Sequence, residues 1–326
     1  MFKKINTKIL IVLLIVLLGI YFAARFFDTS DRSFREIIVE VEPEKVTEVV
    51  INDPQNNEPV NIMKEGDRWF VVKPSGKYPA DTNVVKNIIV QVGSLKTKRY
   101  AGKGEDQWDK YQVTDSAATT VELKGQDETL TRLMIGKFSY NMPENQGQQP
   151  MMGRQQQQQA DMTTYVRLAD ESEVYAVDGF LKMNFNRDPD SYRDKTLVSV
   201  NQGDIQRVEF NYDGRQTLLE RTGQGWTLGG TPADSASVAK YVNTLSKLSS
   251  SNFLNEDYSG RQASRKINIE GNNFVPVELA AYPVSDTNIN YVIYSSDNPT
   301  AYFNGKKSDL FDKIFIEETE LLQDNP

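Results

Sequence analysis

Two stretches of this chain follow one plan, and that duplication limits the folds open to it more than any other feature. The first has Trp69, then Tyr78-Pro79-Ala80-Asp81, then apolar residues at Val85, Ile88, Ile89, Val92 and Leu95. The second has Trp226, then Pro232-Ala233-Asp234, then Val238, Tyr241, Val242, Leu245 and Leu248. The spacing after each Asp is the same, and it sets one apolar stripe on one face of a helix. Further matches continue downstream. Val121-Glu122-Leu123-Lys124-Gly125 pairs with Ile267-Asn268-Ile269-Glu270-Gly271, Tyr165-Val166 with Tyr291-Val292, Gly179 with Gly305 and Phe185 with Phe311. The offset falls from 153 at the Asp pair to 146 and then 126. Copy one therefore carries about 20 residues that copy two lacks, between Tyr140 and Ala160. A period this long means two related domains rather than a solenoid.

Between the matched blocks, strand-like runs alternate with turn signals. Copy one predicts strands at 36–41, 46–52, 60–63, 69–72, 120–124, 131–135, 165–168 and 174–177, with Glu65-Gly66-Asp67 as a turn. Asp81 caps a helix over 82–96, and a short helix follows near 180–185. Copy two predicts strands at 205–211, 217–220, 226–228, 266–270, 277–282, 290–294 and 301–303. Its helix runs over 235–249, and a closing helix over 308–322. Hairpin-like turns with one main helix per copy give an α+β class, two related tandem modules, each an antiparallel sheet with one packed helix.

The N-terminus is different. Residues 1–8 form a short basic tail with Lys3, Lys4 and Lys8, and residues 9–24 are uncharged and almost wholly apolar. A helix over 9–27 is roughly 28 Å long at about 1.5 Å per residue, which matches a transmembrane anchor with the N-terminus inside. The rival is a cleaved signal peptide. A cut after Ala24 would put Phe22 where a small residue is needed, and the apolar run is long for a signal. The expected organisation is thus a cytoplasmic tail at 1–8, an anchor at 9–27, a stalk at 28–43, a first module at 44–200 and a second at 201–326. The first module carries a Gln/Met-rich insertion at 141–164. That insertion, with five glutamines at 155–159, reads either as a tolerated loop or as a partner-contact loop using Met142, Met151 and Met152 as adaptable apolar contacts.

Chemistry is sparse by comparison. The chain of 326 residues has net charge −8, no Cys and no His. The charge disfavours nucleic acid, and the missing residues remove thiolate chemistry, Cys-zinc sites and the commonest general base and metal ligand. Asp81 and Asp234 recur as a pair, but each stands where a helix needs a cap. Trp69 and Trp226 fit core positions better than ligand stacking. Asn255, Asp257, Ser259 and Gly260 begin like a calcium loop, but Lys266 stands where the bidentate Glu belongs. Asp188, Asp190 and Asp194, interleaved with Arg187 and Arg193, read as a solvated or locally paired turn. No catalytic, cofactor or metal site is expected. Carboxylate-only hydrolysis is the reading with least support.

Several blocks together, in order, resemble the bacterial domain-of-unknown-function family 4340. They are Val46 to Ile51, Trp69, Pro79-Ala80-Asp81, Ile135-Gly136, Tyr165-Val166-Arg167, Val174-Tyr175 and Tyr192-Arg193-Asp194-Lys195-Thr196-Leu197. Tyr111-Gln112-Val113-Thr114 departs from that family's usual Tyr-Gly-Leu-Asp-like turn, and Ser116 stands where a Pro is common. The resemblance implies a non-catalytic, membrane-anchored, periplasmic accessory subunit of an ABC-type transporter of the kind linked to gliding motility. A permease or other envelope protein would be its partner, and no cofactor is implied. A free-standing periplasmic ligand-binding or envelope-scaffold protein is the alternative.

Overall fold

The computed structural model describes residues 14, 16–18, 35–56, 58–141 and 161–322. Among the described residues no helix is long and apolar enough to cross a membrane. The anchor expected at 9–27 falls outside them except for Leu14, Val16, Leu17 and Leu18, which are helical with side chains about half exposed. Met142, Met151 and Met152 also lie outside the described residues.

In chain order the first copy runs β1 (Glu48–Asn52), β2 (Val60–Glu65), β3 (Arg68–Lys73), β4 (Gly76–Pro79), α1 (Thr82–Gly93), β5 (Arg99–Lys103) and α2 (Glu105–Tyr111). It continues with β6 (Thr119–Lys124), β7 (Thr129–Asn141), β8 (Asp161–Leu168), β9 (Glu173–Asp178) and α3 (Lys182–Phe185). After β10 (Thr196–Ser199), the second copy runs β11 (Ile205–Tyr212), β12 (Arg215–Thr222), β13 (Gly225–Leu228), β14 (Thr231–Pro232), α4 (Ser235–Ser246), β15 (Lys247–Ser249) and β16 (Phe253–Leu254). It closes with β17 (Arg265–Gly271), β18 (Val277–Pro283), β19 (Tyr291–Ser295), β20 (Tyr302–Asn304) and α5 (Leu310–Ile314).

Eighteen of these strands form two nine-stranded sheets of one topology, and β10 and β15 pair as a separate two-stranded sheet. The first has the order β4-β3-β2-β1-β6-β7-β8-β9-β5, and the second β14-β13-β12-β11-β17-β18-β19-β20-β16. Position by position the orders correspond, so the duplication seen in the residues is a duplication of the sheet. The fold is α+β and sheet-rich, with antiparallel pairing such as Val208 opposite Leu219 and Ile269. Contacts divide the chain into two compact units, one of Met1–Val46, Ile51–Asn57 and Ile89–Asn186, the other of Thr47–Val50, Glu58–Ile88 and Arg187–Pro326. The dividing line runs through β1.

Period-two alternation builds the cores. Val208, Phe210 and Tyr212 of β11 and Ile267 and Ile269 of β17 are buried, with more polar residues between them. Val238, Tyr241, Val242 and Leu245 form the buried stripe of α4, and Tyr241 stacks on Phe210 at 6.0 Å. At roughly 1.5–3 kcal/mol per fully buried side chain, four such residues outweigh the weak intrinsic stability of a helix this short. The α1 stripe of Val85, Ile88, Ile89 and Val92 is buried likewise, and so is Leu95 beyond the helix.

Four expected elements differ. Residues 36–41 are not a strand. Their backbone bonds go to the turn after α1, with Ile38 N donating to Leu95 O (2.8 Å) and Val41 N to Gly93 O (2.8 Å). For the same reason α1 stops at Gly93 rather than residue 96. Likewise α4 ends at Ser246. Residues 247–249 instead pair with β10, which places Leu248 opposite Val198 and keeps it buried. The closing helix is broken into short turns by left-handed backbone at Ser308 (φ 57°) and Asp309 (φ 53°), and by Phe315 (φ −106°, ψ 60°). Strands β4, β5, β10, β14 and β16 and helix α2 are not expected from the sequence, because short strands and a seven-residue helix leave little periodicity to read.

Candidate functional site

The Pro-Ala-Asp repeat is a hydrogen-bonding junction, and both copies build it alike. Ala80 N donates to Trp69 O (2.8 Å), and Ala233 N to Trp226 O (2.9 Å). Asp81 N donates to Tyr192 O (2.9 Å), and Asp234 N to Leu321 O (2.8 Å). Each Asp then caps its helix. Asp81 Oδ1 accepts from Asn83 N (2.9 Å) and Val84 N (3.2 Å), and Asp234 Oδ1 accepts from Ser237 N (2.7 Å). That bond from the Ser237 amide is the chief reason the Asp234 carboxyl lies below the usual carboxylate range. The two aspartates are therefore caps, as their sequence positions implied. Trp69 is buried, while Trp226 packs against the core but is only partly covered.

The junctions differ at one residue. Ala80 bridges to Arg193, whereas Ala233 bridges to Leu322. Arg193 is 1% exposed. Its guanidinium lies 4.0 Å from the Tyr78 ring centre and 3.8 Å from that of Phe253, a cation held between two aromatic faces. It also donates to Asp190 Oδ1 (3.1 Å), which accepts from Lys73 Nζ (2.9 Å) as well. Burial pushes the Asp190 carboxyl up, but the bonds from Lys73 and Arg193 outweigh it and hold the group below its ordinary value. Asp188 caps its own turn through Asp190 N (2.8 Å), and Asp194 accepts from Thr196 N (2.9 Å). The acidic run is thus a locally paired turn. Sequence reasoning missed that Arg193 sits at its centre, because nothing in the spacing shows which of two neighbouring arginines turns inward.

Just past Arg193 the chain enters a cleft of about 590 Å³ lined by Lys195, Lys247 and Lys313, with Thr244, Ser249 and Ser250 among the hydroxyl groups. Among the described residues, no Asp or Glu lines it. Ser250 N donates to Lys195 O (2.9 Å), which ties the segment after Arg193 to the end of β15. Asn298 Nδ2 donates to Asp194 O (2.8 Å), and Ser295 Oγ donates to Leu197 O, so this segment is clamped on a second side. Lys313 Nζ donates to Ser308 O (2.7 Å). Among the described residues, Lys195 and Lys247 have no ion-pair partner. Three ammonium groups and several hydroxyls without a carboxylate can hold an oxyanion.

The other acidic positions do structural jobs. Asp257 Oδ1 accepts from Ser259 N (2.9 Å) and from the Tyr302 hydroxyl (3.2 Å), and Lys266 pairs with Glu278 (3.3 Å). Glu220 and Glu270 share a surface depression, where both turn to Arg207 at 3.9 and 3.7 Å as cross-strand pairs. Among the described residues no group of His, Cys, Asp and Glu is arranged to hold a metal ion.

No curated protein and no solved structure matches the chain. A family model does match part of it. Over residues 155–266, about a third of the length, which take in β8, β9, the Arg193 turn, Lys195, Lys247 and the strands to the start of β17, the chain is similar to the family described as Domain of unknown function (DUF4340).

Proposed function

We propose that this chain is a non-catalytic, single-pass, extracytoplasmic accessory subunit of an ABC-type transport complex. Residues 9–27 would anchor it in the cytoplasmic membrane with the N-terminus inside, and the two sheet modules would engage a permease or its cargo. The observation that carries this reading is the uncharged, apolar run at 9–24 behind three lysines, followed by a duplicated sheet whose recurring motif is spent on structure. The similarity to DUF4340 over 155–266 agrees with the family resemblance from which the transport reading is drawn. The half-exposed helical Leu14, Val16, Leu17 and Leu18 suit a lipid-facing surface.

Crosslinking in native membranes, with a C-terminal tag and mass spectrometry of the captured proteins, tests it. Recovery of a permease together with its ATPase is the expected result. Repeated capture of the chain alone, or with wall material only, would sink the transport reading. It would favour a free-standing envelope binding protein, and the lysine-lined cleft is the specific observation on that side.

A further inference from the structure

We propose that the cleft formed by Lys195, Lys247 and Lys313 binds a phosphorylated polyol. Charge is the first argument. The chain carries 45 Asp and Glu against 37 Lys and Arg, yet among the described residues three lysines and no carboxylate line this cleft. Cations gathered in a concave site raise the local concentration of anions. The three come from separate places: Lys195 from the segment before β10, Lys247 from β15 and Lys313 from α5. Three separate segments of the chain thus bring a lysine to the lining of one cleft.

Hydroxyl chemistry is the second argument. Ser250 is 8% exposed. Its Oγ accepts from Asn252 N (3.2 Å), so its own proton remains to be donated. Thr244, Asn243, Ser249, Ser251 and Asn252 add polar groups of the kind that bind sugar or glycerol hydroxyls. Among the described residues no aromatic ring lines the cleft, and Leu248 and Leu310 are its apolar side chains, so a nucleobase finds no ring to stack on there. At about 590 Å³ the cleft falls within the roughly 300–1,000 Å³ of small-molecule pockets, more room than a bare five-atom phosphate takes up.

Two sources share this chemistry, a soluble sugar phosphate and the head group of an anionic phospholipid. Calorimetric titration of the detergent-solubilised full chain separates them. The probes are glucose 6-phosphate, a water-soluble short-chain phosphatidylglycerol, glucose and inorganic phosphate. Saturable binding of one phosphorylated polyol is expected, with neither glucose nor phosphate matching it. Preference for the first probe assigns a soluble ligand, and preference for the second a lipid head group. Lys195→Gln and Lys247→Gln should each weaken binding by about tenfold or more, the scale of one charge-assisted hydrogen bond. Both should melt like the parent, and the exposed Lys86→Gln on α1 should change nothing. The proposal is overturned if no probe binds saturably at about 1 mM, if inorganic phosphate binds as tightly as the polyols, or if the cleft variants bind like the parent. The inference stands apart from the transport reading: a failed crosslink leaves it intact, and a failed titration leaves the transport reading intact.

Discussion

Gln112 ends α2 in the left-handed conformation, at φ 56° and ψ 41°, with its N–H donating to Asp109 O (3.2 Å). That is the position where helices favour glycine, because a Cβ there crowds the backbone. Gln112→Gly should stabilise the chain by about 0.5–1 kcal/mol, read as a higher urea midpoint. A lower midpoint would mean that the Gln side chain does more than cap. Arg193 is the opposite case, a charge whose burial depends on every partner. Arg193→Ala removes the stacking on Tyr78 and Phe253 and leaves a hole beside Asp190. It should cost about 3 kcal/mol in denaturant unfolding. An unchanged midpoint would show that Lys73 alone satisfies Asp190.

At the scale of elements, legibility followed pattern length. The α1 and α4 stripes, their Asp caps and the long alternating strands could be read because each repeats a period over many residues. What could not be read depends on partners distant in sequence. Residues 36–41 bond to the turn after α1, and 247–249 bond to β10. The cleft was illegible for the same reason, since Lys195, Lys247 and Lys313 share no spacing. Even a matched residue can carry different constraints in the two copies. Gly125 and Gly271 align, yet a Cβ on Gly125 would meet its nearest atom at 3.4 Å, whereas one on Gly271 would lie 2.0 Å from Asp204 O. Asp204 O also accepts from Asn272 N (2.9 Å), so the approach is held in place. Gly271→Ala should therefore cost about 1–3 kcal/mol, while Gly125→Ala should cost much less. Equal effects in a pair of thermal melts would refute the close approach as the reason for that glycine.

For the whole molecule, the balance of titrating groups sets a pH profile. There is no His and no Cys, so the side chains that commonly titrate near neutrality are missing. On the acid side, Asp190 and Asp234 have lowered values in the fold. The stability they contribute is present above the ordinary value of 3.8 and is lost as pH falls through their folded values. Asp297, raised by burial and by Asp194 nearby, works in the other sense and loses its contribution as pH rises through its folded value. On the alkaline side, burial raises Tyr212 and Tyr241 above 10.0. Their contribution is full below pH 10.0 and is lost as pH rises through the raised values. The melting temperature should thus form a plateau from about pH 5 to 9, with a fall on either side. Tyr212→Phe tests the alkaline arm. Among the described residues the buried Tyr212 hydroxyl has no hydrogen-bond partner, whereas the Tyr241 hydroxyl donates to Ile314 O (2.7 Å). Removing the Tyr212 hydroxyl should raise stability at pH 7 by about 1 kcal/mol and move the alkaline fall upward. If Tyr212→Phe melts several degrees lower at pH 7, the hydroxyl has a partner after all; if its alkaline arm does not move, Tyr212 is not the group that fails first when pH rises.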